Sequence, residues 1–318
     1  MKKRLLSVLL VLTLVVSFVG CTPTAKQASS ANAAAATEAD AAAASTAAPA
    51  EDKIVVAGIN LQEDQFSSWC ALGYQAACDD YGVTMLHAIS GGDPAKEVEL
   101  LNTYAAQNVD GIAIMPASET TSVAAIKQIY DTYGIPISLL NSEMNDTYKQ
   151  FVVGCVTTPH TELGRPSGEA AAEYIKNVLG GQANIGIITF VTQYSEPATQ
   201  RMNGFVDAVK AVNPDVVVVA QAEAWVQDMA IQAAGDMITA HPEINVIFAC
   251  NDGGTVGTVM AVKNAGLAGK IAVFGIDGGE QQIAMLRSDD NILQAVTAQD
   301  AYGMGYQTME MLIKYIKG

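Results

Sequence analysis

The chain has 318 residues, half of them hydrophobic, with 33 Asp and Glu set against 17 Lys and Arg. That length supports two packed domains rather than one marginal core, and a formal net charge of −16 argues against a nucleic-acid surface. The five cysteines (Cys21, Cys70, Cys78, Cys155 and Cys250) show no C-x-x-C spacing and do not group with His87, His160 or His241, so no metal site is expected.

Residues 1–20 open with Lys2, Lys3 and Arg4 and continue as an apolar run from Leu5 to Val19. The run is short for a membrane span and no basic stop follows, so it reads as an export signal. Phe18-Val19-Gly20-Cys21 resembles a bacterial lipobox, although Phe18 departs from the usual Leu. That resemblance implies lipidation of Cys21 and a mature protein anchored on the outer face of the cell membrane. Residues 21–52 then form a tether: 15 of the 31 residues from Thr22 to Asp52 are Ala, and none is aromatic or a large aliphatic.

From Lys53 the pattern alternates. Strands are predicted at 53–59, 83–89, 111–117 and 135–141, with helices at 67–81, from Pro94 behind an Asp93 cap, and at 121–133. The rhythm is lost over 151–164. It resumes with a helix over 163–179, strands at 184–190, 216–224, 246–251, 271–277 and 292–299, and helices near 198–211, 227–240, 254–265, 279–287 and 301–317. Continuous apolar strands separated by helices predict an α/β fold: two Rossmann-like lobes, each a parallel sheet flanked by helices. The boundary is expected near Val156 to Pro159.

Ligands of parallel sheets collect beyond the carboxyl ends of the strands. Those positions here hold amides, carboxylates, hydroxyls and large aromatics, a set suited to neutral polyols: hydroxyls pair with Asp, Asn and Gln, and the C–H face of a sugar ring lies on a flat aromatic. On sequence alone Phe66 and Trp225 each serve either a ligand or the core. Trp69, one helical turn beyond Phe66, reads as core unless that turn opens on a cleft. Asp252 reads as a cap for the following helix, whereas Asn251 is harder to explain that way, and Asp277 suits either a ligand or the Gly-Gly turn after it. No dinucleotide fingerprint, P-loop or H-E-x-x-H occurs, and no histidine has a nucleophile partner. The chain is therefore expected to be no enzyme and to need no cofactor. A Cys70–Cys78 bridge stays open beside free thiols.

The blocks DPAKEVELLNTYAAQNVDGIAIMPAS (93–118), IPISLLNSE (135–143), RMNGFVDAV (201–209), MITAHPEINVIFACNDGGTVGTVMAV (237–262), VFGIDG (273–278) and VTAQDAYGMG (296–305) resemble the periplasmic-binding-protein type I family, close to ribose- and monosaccharide-binding lipoproteins of ABC importers. The resemblance covers nearly all of 53–318. It implies an N-terminal lobe over 53–157, with 300–318 returning to it, a C-terminal lobe over 158–299, a ligand cleft between them, and closure around a small neutral sugar before docking on an ABC permease. A monomer without nucleic-acid partners is expected.

Carried over by position, the family's sugar contacts fall on Asp64, Phe66, Asn141 and Ser142 in the first lobe and on Trp225, Asn251, Asp277 and Gln299 in the second. The ribose-type pattern has a second aromatic where Ser67 stands, Asp-Arg where Asn141-Ser142 stands, and a second-lobe Arg where Thr199 stands. Glu63, Glu143 and Tyr194 are the nearest polar replacements, ribose itself is disfavoured, and the smaller side chains leave room for a larger sugar or a disaccharide. The alternative function is a sensor or importer component for a short oligosaccharide, a nucleoside or a furanosyl signal. Family members commonly continue past the last helix with strands crossing back to the second lobe, so either that crossing is absent here or the sequence is truncated at Gly318.

Overall fold

The computed structural model describes residues 53–118, 120–142, 146 and 148–318. The predicted signal, Cys21 and the tether lie outside the described residues. In the first lobe β1 (Val55–Asn60), α1 (Gln65–Tyr81), β2 (Thr84–Ile89), α2 (Pro94–Ala106), β3 (Gly111–Ile114), α3 (Thr121–Tyr133), β4 (Ile137–Leu140) and β5 (Gly154–Val156) build a parallel sheet of order β2-β1-β3-β4-β5. The second lobe runs α4 (His160–Val178), β6 (Asn184–Thr189), α5 (Ser195–Val212), β7 (Val217–Glu223), α6 (Gln227–Ala240), β8 (Val246–Ala249), α7 (Asp252–Asn264), β9 (Ala272–Asp277), α8 (Glu280–Leu286) and β10 (Leu293–Ala298). Its parallel sheet has the order β10-β9-β8-β6-β7, the same winding once the strands are counted from β6. Each sheet thus reverses direction at its first strand, beside β1 and beside β6, and the carboxyl ends there open a crevice.

The central strands are buried because both faces carry helices. Every residue of β3, β4 and β8 is buried, and Phe205 stacks on Phe248 at 4.1 Å in the second core. Asp93 caps α2 as expected, accepting from the Ala95 N–H at 2.8 Å, with Pro94 at the first helical position. One expectation needs correction. The segment 151–164 holds β5, an edge strand of three residues too short to show a period, and α4 begins at His160 rather than Leu163. The cysteines Cys70, Cys78, Cys155 and Cys250 are free thiols, as read from the sequence, and the alternative left open there, a 70–78 bridge, is not formed.

The lobes are linked through residues 157–159 and again through 299–300, after which α9 (Ala301–Lys317) packs on α1, β3, β4 and β5 of the first lobe. Glycines bring the backbones of α1 and α9 together: a Cβ at Gly305 would stand 2.2 Å from the Cys70 carbonyl oxygen. A matching close approach joins α4 to α5, where a Cβ at Gly164 would meet the Arg201 carbonyl oxygen at 1.9 Å.

Candidate functional site

A cavity lies between the lobes, lined by residues of both. Its first-lobe wall is made by Gln62, Asp64 and Phe66 beyond β1, Met115 beyond β3 and Asn141 beyond β4. Asp64 caps α1, accepting from the Ser67 N–H at 2.8 Å, and its other oxygen accepts from the Gln62 amide. Burial pushes its carboxyl above the ordinary range. Phe66, 7% exposed, belongs to the first-lobe core and to the cavity at once. Asn141 sits at φ 52°, a left-handed position that Asn tolerates, and its Oδ1 is buried without a protein partner.

In the second lobe Gln193 and Tyr194 follow β6, Trp225 follows β7, Asn251 follows β8, Asp277 ends β9 and Gln299 follows β10; all line the cavity. Trp225 also packs against the second core. The Asn251 side chain, rather than Asp252, caps α7: its Oδ1 accepts from Gly254 N–H at 3.2 Å and its amide donates to the Trp225 carbonyl at 2.7 Å. Asn251 therefore shapes the wall with both of its polar atoms engaged. Asp277, at φ 97°, accepts from the Asp252 N–H at 2.6 Å and from the Gln299 amide. Burial raises its carboxyl, and the Arg201 guanidinium opposes that rise.

Arg201 is the residue that strand-end reasoning missed. Thr199 carries no charge, but two positions later Arg201 lies on the cavity wall with its side chain 3% exposed. Nη1 donates to the Cys250 carbonyl at 2.8 Å and Nε to His160 Nδ1 at 3.3 Å, while the Phe190 ring lies 5.3 Å from Cζ. Neither bond uses Nη2. His160 can accept because burial and the Arg201 charge pull its pKa down to about 3, leaving it neutral. The available signal was a helical one: Pro197 and Arg201 are four apart on α5 and share a face toward the cavity.

Other expected positions fall elsewhere. Glu63 is exposed, because its neighbours Gln62 and Asp64 take the inward places, and Ser142 is buried behind Asn141 without reaching the cavity wall. Glu143 lies outside the described residues.

The lobes meet around the cavity. The Tyr194 hydroxyl donates to the Pro116 carbonyl. A Cβ at Gly92, in the first lobe, would lie 2.8 Å from Gln193 Nε2 and 3.8 Å from Trp225 Nε1. The Gln65 backbone hydrogen-bonds the Asp252 carboxylate, whose pKa rises to about 7 through burial, Asp277 and Asp64. The cavity offers hydrogen-bonding groups and aromatic faces. Among the described residues no group of side chains is placed to hold a metal ion.

Residues 54–318 match the family model described as the periplasmic binding protein domain. Over 270 residues the chain is 30% identical to the ABC transporter periplasmic-binding protein YphF of Escherichia coli, spanning 84% of this chain and 81% of that protein. It is 25% identical over 228 residues to the D-allose-binding periplasmic protein of the same organism, or 70% of this chain and 71% of that one. A carbohydrate transporter solute binding protein from Agrobacterium radiobacter, solved in complex with D-arabinose, matches with a TM-score of 0.73 at 25% identity. That match covers 84% of this chain and 90% of the solved one.

Proposed function

The chain belongs to the periplasmic binding protein family, whose members here are solute-binding transport components and not enzymes, and from that premise we propose that it captures a neutral sugar outside the cytoplasm and delivers it to an ABC permease. The reading includes a lipid anchor on Cys21 and action as a monomer. One observation carries the ligand class: a single cavity joins the aromatic faces of Phe66 and Trp225 to hydroxyl partners on Asp64, Asn141, Arg201, Asp277 and Gln299. A sugar ring has one face of C–H groups and a rim of hydroxyls, and it matches both halves of that lining. Two carboxylates stand against one guanidinium, so a phosphate or acid group would add uncompensated negative charge to a partly dry cleft.

Calorimetry on protein stripped of endogenous ligand tests the reading, with D-ribose, D-allose, D-arabinose, myo-inositol, nucleosides and sugar phosphates as probes. A neutral sugar should bind, and its phosphate ester should bind at least about tenfold more weakly, the factor of one lost charged hydrogen bond. Equal or tighter binding of the ester, or binding of nucleosides alone, would overturn it.

A further inference from the structure

A second cavity adjoins the first, and Phe66, Asp277 and Gln299 line both. Its outer side is contributed by three helices: Trp69 from α1, Ile283 from α8 and Tyr302 from α9. Trp69 is 36% and Tyr302 42% exposed, and Ile283 is similarly open. Single exposed apolar side chains are ordinary, but three converging on one depression beside a ligand cavity indicate an occupant. Trp69 and Tyr302 are held as neighbours by the glycine contact of their helices: a Cβ at Gly73, one turn after Trp69, would meet the Tyr302 carbonyl oxygen at 2.2 Å.

Exposed carboxylates complete the lining. Glu280 opens α8, and Asp300 caps α9, using Oδ1 on the Gly303 N–H at 2.8 Å. Flat faces flanked by acceptors, with no Lys or Arg on the wall, suit a neutral polyhydroxylated ring and repel an anion. At the wall between the cavities, Gln299 gives its amide N–H to Asp277, while its Oε1 is buried without a protein partner. A hydroxyl or a glycosidic link placed there would supply what that oxygen lacks.

We propose that the outer cavity is a second sugar subsite, so that the ligand is a disaccharide or short glycoside. One ring occupies the inner cavity, the next lies against Trp69 and Tyr302, and the link passes Gln299. The proposal rests on the sugar reading of the inner cavity.

Calorimetry on the full chain decides it, comparing D-glucose with maltose and cellobiose, D-galactose with melibiose and D-xylose with xylobiose, and including D-ribose and D-allose. At least one disaccharide should bind about tenfold or more tightly than its component monosaccharide. Trp69→Ala and Tyr302→Ala should abolish that advantage and leave monosaccharide affinity within about twofold, and Glu280→Gln should reduce the advantage without touching the aromatic packing. If monosaccharides bind and no disaccharide gains, or if Trp69→Ala weakens both classes equally, the subsite is overturned while the sugar reading stands. If no sugar of either class binds, the sugar reading falls and the subsite with it.

Discussion

Tyr194, at the N-cap of α5, donates its hydroxyl to the carbonyl oxygen of Pro116 on the opposite lobe. The acceptor is firmly held: the next residue, Ala117, gives its N–H to the buried carboxyl of Glu97 at 2.6 Å and to Ser122 Oγ at 3.1 Å. This bond forms only when the lobes meet, so it belongs to the closed state and not to either lobe alone. Tyr194→Phe should therefore speed ligand release. A neutral hydrogen bond contributes about 0.5–1.5 kcal/mol, so binding should weaken roughly two- to tenfold with little change in the melting of the ligand-free protein. Stopped-flow dissociation measures this, and an unchanged release rate would show that the latch does not hold the closed state.

Trp225 spans the cavity and the second core. Trp225→Ala should weaken sugar binding by roughly 2 kcal/mol or more, the scale of a buried aromatic anchor, and should lower the melting temperature modestly, since part of the ring packs on protein. Calorimetry beside thermal melting separates the two effects. A large drop in melting with affinity preserved would make Trp225 a core residue only.

For Asp277 the structure predicts a double effect that its position in the sequence did not suggest. Both carboxylate oxygens are engaged within the protein, by the Asp252 N–H and by the Gln299 amide, and the Arg201 charge acts on the same group. Asp277→Asn keeps the shape but retains a single acceptor oxygen. Affinity should fall by about 1.5–3 kcal/mol, the scale of a charge-assisted bond, and the ligand-free protein should melt earlier as well. Asp277→Asn with full affinity and wild-type melting would contradict both assignments.

Asp252 imposes a pH dependence. Its carboxyl titrates at about 7 in the folded protein against 3.8 in an unfolded chain, because burial, Asp277 and Asp64 all disfavour its charge. Between those values the folded state holds the extra proton, so this group makes stability fall as pH rises from about 4 to about 7 and contributes no further slope above that. Asp64 and Asp277, also raised, add to the same sign. His160, at about 3 folded against 6.5, has the opposite slope over part of the window. The informative quantity is therefore the difference between wild type and Asp252→Asn: denaturant titrations should show the substitution gaining relative stability as pH rises through that window. A pH-independent difference would remove Asp252 as a titrating group.

A chain beginning at Lys53 should fold and bind as the longer protein does, because the periodic pattern starts there and the preceding Ala-rich segment carries no large apolar side chain. Circular dichroism and ligand titration of that chain provide the check. Loss of fold or affinity would assign residues 22–52 more than a tethering role.

The architecture was legible because its central strands, β3, β4 and β8, are buried along their whole length and almost wholly apolar, the pattern that burial on both faces demands. The strand ends then led to Phe66, Trp225 and Asp277 by a rule of topology. Arg201 escaped that rule because it is the seventh residue of α5, where only a helical period points at the cleft. β5 escaped because three residues at a sheet edge carry no measurable alternation. The exchange of roles between Asn251 and Asp252 depends on which of two adjacent side chains turns back over the first helical turn, and both residue types are equally good caps.

The return of α9 to the first lobe sets a timetable. Met309, Leu312 and Ile313 fill a core whose strands are complete by Val156, yet they are separated from it in the chain by the entire second lobe. As the polypeptide is synthesised, the second-lobe strands and helices described above are all made by residue 298, while the first lobe still lacks a wall of its core. Domains are usually completed in chain order during synthesis; here the lobe made first receives the last wall of its core only after the described part of the second lobe has been made.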